Sequence, residues 1–265
     1  MIVLCTDSLR GYGLNRIFEL AKKAEYDAID LAVNFGQFDT YNTEYLKKLI
    51  KDSDMPVHAV SAPNQIASKR IKEVILMAKD IGAKVVVLQP PKILELKHAN
   101  WLKKEIPKLR EKEHLSIALE NAPAGSFLGI LPGHAMSNIQ DLKKFKHVSI
   151  DTARIGEKKQ DLIRTYANLR KYLVHVHISN IYRGKKYAPP QDGILPLESF
   201  LTKLKQDGFP GALSIKVMPK YLHAGDDEKV IDDLKDIKKY YKKYYEKVET
   251  VTSEESEEEK EQNTA

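Results

Sequence analysis

Eight short apolar runs, each followed by a segment of helical periodicity, predict an α/β chain folded as a single (β/α)8 (TIM) barrel over residues 1–247. Residues 248–265 are expected to form a disordered acidic C-terminal tail. Three observations support the barrel. The strand-and-helix alternation repeats eight times, which is the closure number of this fold. No Gly-x-Gly-x-x-Gly follows any strand, which argues against an open dinucleotide-binding sheet. The last four apolar runs each close on an ionisable residue, at the strand end where barrels place their chemistry. The length of 265 residues suits one barrel, and no linker interrupts the first 246.

The elements follow in order. Met1 to Cys5 reads as the first strand, and Ile17, Leu20, Ala21 and Ala24 recur at helical spacing after a turn at Gly11 and Gly13. Ala28 to Ala32 is the second strand, with a helix marked by Tyr45, Leu46 and Leu49. Pro56 to Ser61 is the third, and Ile71, Val74, Ile75, Ala78 and Ile81 fill one face of a long helix that Gly82 terminates. Val85 to Leu88 ends at Gln89-Pro90-Pro91, and a helix is expected over Trp101 to Glu113. Ser116 to Glu120 is the fifth strand; its loop of about fifteen residues is long enough to carry function. Val148 to Asp151 precedes a helix at Leu162 to Tyr172, and Leu173 to His177 precedes a second long loop, Ser179 to Pro196. Leu197 to Leu204 is helical, and Ala212 to Val217 is the eighth strand. In the last helix Ile231, Leu234, Ile237, Tyr241, Tyr244 and Val248 share one face, so the Lys- and Tyr-rich stretch reads as packed tyrosines between solvated lysines.

Composition narrows the function. Hydrophobic residues at 42% and charged residues at 30% supply an ordinary globular core. Residues 249–265 hold seven Glu and one Lys, so the body is more basic than the net charge of +6 indicates. Its lysines are spread over many helices, which favours solvated faces over a nucleic-acid surface. The N-terminus has no long apolar segment behind a basic head, so neither signal peptide nor membrane span is expected, and the cytoplasm is the default location. Cys5, the sole cysteine, lies in the first apolar run and reads as a small core residue.

Glu120, Asp151, His177 and Lys216 close the last four strands and are expected to share one site. His175 shares a face with His177 but lies deeper, as a hydrogen-bonded core histidine, whereas His58 is out of phase with the site. These tips carry a resemblance. Ala24-Glu-Tyr-Asp-Ala-Ile-Asp-Leu31, Leu119-Glu120-Asn121, Ile150-Asp151-Thr152, His175-Val-His177-Ile-Ser-Asn180, and Gly193-Ile-Leu-Pro-Leu197 with Gly208-Phe-Pro-Gly211 together resemble the xylose isomerase-like barrel superfamily. That superfamily contains sugar and sugar-phosphate isomerases and epimerases and endonuclease IV-like enzymes.

The resemblance implies a divalent cation (Mn²⁺, Mg²⁺ or Zn²⁺) held by Glu120, Asp151 and His177, but a fourth carboxylate is replaced by Lys216. Arg154 also stands where the family often has His, Ser61 and Gln89 end strands where endonuclease-type members have His, and Asn180 replaces an Asp. An ammonium repels the ion, so metal affinity is expected to be weak or lost, with Lys216 and Arg154 neutralising the carboxylates instead. The implied activity is isomerisation or epimerisation of a sugar or sugar phosphate by proton transfer next to a carbonyl. Glu120 is its base, with Lys216 or Arg154 stabilising the enediolate. Substrate contacts are expected from Asp30, Gln89, Asn121, Asn180 and Arg183. The exposed cations Arg183, Lys185 and Lys186 read equally well as solvated loop residues. Two other readings stand beside this one: a metal-lost barrel that binds a sugar, a phosphate or a protein partner without catalysis, and a Schiff-base lyase using Lys216. Family members often form dimers or tetramers, but no interface stripe is legible.

Overall fold

Parallel pairing carries the chain through eight strands and back to the first, closing a barrel in the computed structural model, which describes residues 1–246. The strands are β1 (Ile2–Cys5), β2 (Ala28–Ala32), β3 (Val57–Ser61), β4 (Val85–Leu88), β5 (Ser116–Glu120), β6 (Val148–Asp151), β7 (Leu173–Ile178) and β8 (Ala212–Ile215). Each pairs with its sequence neighbour, and β8 pairs with β1 through Ile2↔Leu213, Val3↔Ser214 and Leu4↔Ile215. The outward residues, such as Leu4, Ile29, Leu31, Val86, Leu119, Ile150 and Val176, pack under the surrounding helices as one large apolar cluster. Inward residues alternate with them. Small apolar side chains fill the lower interior: Ala59, Val85, Val87 and Ala118 on one side, Val3, Ala28 and Ala212 on the other. The layer above is polar, because the next inward positions are Asp30, Ser61, Glu120, Ser149, Asp151, His175, His177 and Ser214, all buried.

Most expected elements are present, with informative shifts. The helix expected from Trp101 begins at Leu96, and an unforeseen short helix, Thr152–Glu157, follows β6 directly. Strand β8 ends at Ile215, so Lys216 lies one residue beyond the sheet. Within the long loop after β7, Asn180–Tyr182 pairs antiparallel with Lys185–Ala188. Arg183 and Gly184 both have positive φ at the tip, the requirement of a tight two-residue hairpin turn. A smaller hairpin, Ser126–Phe127 with Leu131–Pro132, follows β5.

The last helix, Asp227–Tyr241, widens into a π turn over Lys242–Glu246. The extra residue per turn shifts the phase by one position. Tyr245, not the expected Tyr244, is therefore the buried ring; it stacks on Tyr241 at 5.1 Å and donates to the Phe209 carbonyl at 3.0 Å. Val248 and the expected tail at 248–265 lie outside the described residues. Among the described residues no helix is long and apolar enough to cross a membrane.

Candidate functional site

Short-range structure fixes Asp151 and Arg154 first. Asp151 ends β6 and is also the N-cap of the helix Thr152–Glu157: its Oδ1 accepts the Arg154 backbone N–H at 3.1 Å. The cap turns the Arg154 side chain back across the strand ends. Its Nη1 lies 2.8 Å from Glu120 Oε2 and donates to Gln89 Oε1 at 2.7 Å and to the Asn121 carbonyl at 3.0 Å. Its Nε is 3.5 Å from Asp151 Oδ2, the same oxygen that Lys216 Nζ approaches at 3.4 Å from the end of β8.

On the other side of Glu120 the imidazole of His177 bridges two carboxylates. Nδ1 bonds Glu120 Oε1, and Nε2 bonds Asp30 Oδ2 at 2.7 Å. Asp30 takes three further contacts, from Ser61 Oγ at 3.0 Å, Ser214 Oγ at 2.8 Å and His175 Nε2 at 3.2 Å. Glu120, Asp30, Asp151, His175 and His177 are all fully buried.

This geometry sets the charges. Burial alone would raise Glu120 and Asp30. Arg154, Lys216 and His177 instead hold Glu120 well below the usual carboxylate range, and the two imidazoles do the same for Asp30. Burial and Lys216 push His177 down, but Glu120 and Asp30 prevail and bring it up to about 9. His177 is therefore an imidazolium at neutral pH, with both nitrogens donating. For His175 burial wins and its pKa falls, leaving a neutral ring that donates from Nε2. Burial opposes the charge on Lys216, yet Glu120 and Asp151 hold its pKa above the ordinary lysine value. Three carboxylates thus face three cations in one closed cluster.

A cavity of about 730 Å³ opens above this cluster. Thr6, Ser61, Gln89, Arg154, Tyr187 and Lys216 line its deep end, with Asp7, Arg10, Asn34 and Asp39 among its loop residues. Of the expected site residues, Lys216, Arg154 and Gln89 line the cavity. Glu120, Asp151 and His177 adjoin them but present no surface to it.

The remaining expected substrate contacts sit elsewhere. Asp30 is sealed among the two histidines and two serines. Asn121 brackets the Asp151 backbone, accepting its N–H at 2.6 Å and donating to its carbonyl at 3.2 Å. Asn180 fastens its own loop to Pro190, Ile181 and Leu195. Arg183 lies exposed at the hairpin tip over the Tyr182 ring. Lys186 pairs with Glu157 at 2.8 Å. Tyr187 was not foreseen. Its hairpin is bonded to the chain after β8 by the Met218 N–H to the Tyr187 carbonyl at 2.8 Å, and its ring centroid is 5.5 Å from Lys216 Nζ. Burial and Asp151 push the phenol up to about 12. No strand-tip pattern marks such a residue.

A closed eight-stranded parallel barrel with a polar cluster at the carboxyl ends of its strands defines a (β/α)8 barrel. The family model of the xylose isomerase-like TIM barrel matches residues 18–240, and the chain belongs to that family. An uncharacterized protein of Mycobacterium leprae is 23% identical over 245 residues, covering 81% of this chain and 87% of that one. Solved structures share the fold. A D-tagatose 3-epimerase-like protein has a TM-score of 0.69 at 18% identity, covering 94% of this chain and 99% of its own. D-psicose 3-epimerase in the presence of D-fructose has 0.71 at 11%, covering 92% and 98%. The IolI protein with a bound zinc atom has 0.70 at 18%, covering 92% and 98%.

Glu120, Asp151 and His177 bring one donor atom each within 4.8 Å of one another, as do Cys5, Asp30 and His177. Neither group fits a divalent ion as arranged. His177 has both ring nitrogens bonded to carboxylates, Glu120 has both oxygens engaged, and Asp151 is committed to its helix cap and to Lys216. Burial, then Asp30 and Asp7, raise the Cys5 thiol well above its usual value, so it is not a thiolate. A divalent ion about 4 Å from a cation is opposed by roughly 8 kcal/mol at an effective dielectric near 20. Two such cations together oppose it by about 16 kcal/mol, as much as the ~10–16 kcal/mol that a good zinc site supplies.

Proposed function

We propose that this barrel is a metal-independent small-molecule site of carbohydrate type, in which Lys216 and Arg154 take the electrostatic place of a divalent ion. The observation that carries the reading is the pair of cations seated on Glu120 and Asp151, 2.8 Å and 3.4 Å away respectively. Membership of the family and the fold shared with sugar epimerases support a sugar-sized ligand, as does the cavity volume. The test is calorimetry of sugars against the full chain in excess chelator. Binding unaffected by the chelator is the expected result, and binding that appears only with added Mn²⁺ refutes the reading.

Isomerisation or epimerisation is the second reading, favoured by the ammonium of Lys216 at the cavity floor. Proton abstraction beside a carbonyl leaves the C–H electron pair in an enediolate, and a fixed ammonium stabilises its oxygen. Glu120 acts as base here only if Gln89 and Arg154, which now hold Oε2 at 3.0 Å and 2.8 Å, give it up; both line the cavity. Exchange of sugar C–H protons in D₂O reads this step without knowledge of the product. Exchange abolished by Glu120→Gln supports it, and exchange retained in that variant excludes Glu120 as base. The Schiff-base reading needs a neutral amine, which the neighbouring carboxylates of Lys216 oppose.

A further inference from the structure

We propose that the cavity recognises its ligand through an oxyanion, a carboxylate or a phosphate, docked on Lys216 Nζ and the Tyr187 hydroxyl. This inference rests on the metal-independent reading of the same site and names the ligand class that the reading leaves open.

The argument is one of which groups keep unused hydrogen-bonding capacity toward the cavity. A neutral sugar offers hydroxyls that donate as well as accept, so its sites need acceptors. The strong acceptors of the strand-tip cluster are turned away. Asp30 and Glu120 have both oxygens occupied by internal donors, Asp151 is held by the Arg154 N–H and by Lys216, and none of the three lines the cavity. Gln89 spends its amide on Glu120 and Arg154. Lys216, by contrast, makes one long contact at 3.4 Å and has two further N–H groups, and its side chain is 13% exposed at the floor. Tyr187 lies beside it, its ring 5.5 Å from the ammonium and its hydroxyl against the Arg154 guanidinium, which can only donate and so leaves the phenol O–H for a ligand.

Each carboxylate of the cluster is already bonded by a neighbouring nitrogen: Glu120 by Arg154 and His177, Asp30 by His177, and Asp151 by Lys216. The field felt by a ligand therefore depends on which charge lies nearest the opening. That charge is Lys216, with Arg154 just behind it at 7% side-chain exposure and all three carboxylates deeper at 0%. Of the two acids among the loop residues, Asp7 is paired with Arg10 at 2.9 Å, and Asp39 is solvent-exposed on the loop after β2. A floor of donors over buried acceptors selects a group that only accepts, and charge-assisted bonds to an oxyanion are the strong form of that contact.

The test is calorimetry of inorganic phosphate, D-glucose, D-glucose 6-phosphate and D-glucuronate against the full chain in excess chelator. At least one anionic sugar should bind about tenfold or more tighter than D-glucose, and the phosphorylated and carboxylated forms show which oxyanion is preferred. Lys216→Met should abolish that preference, Lys216→Arg should keep most of it, and Tyr187→Phe should weaken it severalfold. Lys108→Met makes the same charge change on an outer helix and should have no effect. D-glucose binding as tightly as both anions overturns the proposal while leaving the metal-independent reading intact. Failure of every anion to bind overturns it as well, as does a preference that survives in folded Lys216→Met. Binding of any probe only after Mn²⁺ is added overturns both.

Discussion

Raising the pH from 7.5 to 9 should destabilise this protein chiefly through one buried group, His177. Its pKa in the folded chain is about 9, against about 6.5 for an unfolded histidine. Between these values the folded state holds a proton that the unfolded state has released, so stability falls as pH rises. The slope is about 1.4 kcal/mol per pH unit, and the whole difference is about 3 kcal/mol. The stabilisation is fully present below pH 6.5 and lost as the pH passes 9. The window is clean above about pH 7.5, because His58, His98, His134, His147 and His175 are shifted downward and, a unit above their unfolded value, are neutral in both states. Cys5 and Tyr187, shifted upward, begin to contribute only above about 8.5 and 10. Urea denaturation at half-unit pH intervals is the assay, with ¹⁵N shifts of the ring nitrogens as a second readout that needs no mutant. A flat stability profile, or a ring at pH 7 with one protonated and one bare nitrogen, would refute the bridging imidazolium.

Lys216→Glu should raise Mn²⁺ or Zn²⁺ affinity. Even a quarter of the ~16 kcal/mol charge swing estimated at 4 Å and a dielectric near 20 is close to a thousandfold, read by calorimetry and elemental analysis. Wild-type and mutant chains binding metal equally would contradict the cation-blocked site. Arg154→Met should cost about 3–5 kcal/mol in denaturant unfolding, because it leaves Glu120 buried with its main counter-charge removed; a loss under 1 kcal/mol would mean His177 suffices. Gly193→Ala should cost on the order of 1–3 kcal/mol. Its φ is +149°, and the added Cβ would lie 2.4 Å from Asn180 Oδ1 and 2.5 Å from the Ile181 carbonyl. An unchanged unfolding midpoint would show that the loop after β7 yields at little cost.

What could be read beforehand depends on range in the chain. Period-two and period-3.6 patterns are local, so all eight strands were legible, down to the boundaries of Ala28–Ala32, Val85–Leu88, Ser116–Glu120 and Val148–Asp151. The strand tips followed, and with them the approach of Lys216 to Asp151 across the β6–β7–β8 edge. The contact of Asp30 with His177 was not legible, because β2 and β7 are not neighbours and meet only across the closed interior. Tyr187 was hidden for another reason: it reaches the site on a hairpin whose position is set by the Met218 N–H and by the Asn180 anchor. The Asp151 cap lay in plain view as Asp-Thr-Ala-Arg, but β6 and its helix are fused without a loop, which periodicity reads as one strand followed by a gap.

That cap explains why the cluster is self-contained. Asp151 could be a free ligand only if the helix Thr152–Glu157 were capped by another residue. Because it is not, Arg154 is drawn to the strand ends one helical turn later, where it meets Glu120. Glu120, so engaged on Oε2, has only Oε1 left for His177, and His177 passes the remaining charge to Asp30. One local choice at the end of β6 thus propagates through three ion pairs to the far side of the barrel, and Lys216 is the member left facing outward. Lys216 is therefore the charge that the cluster turns toward the cavity, and the negative charge proposed for the ligand is the one that the buried carboxylates no longer present there.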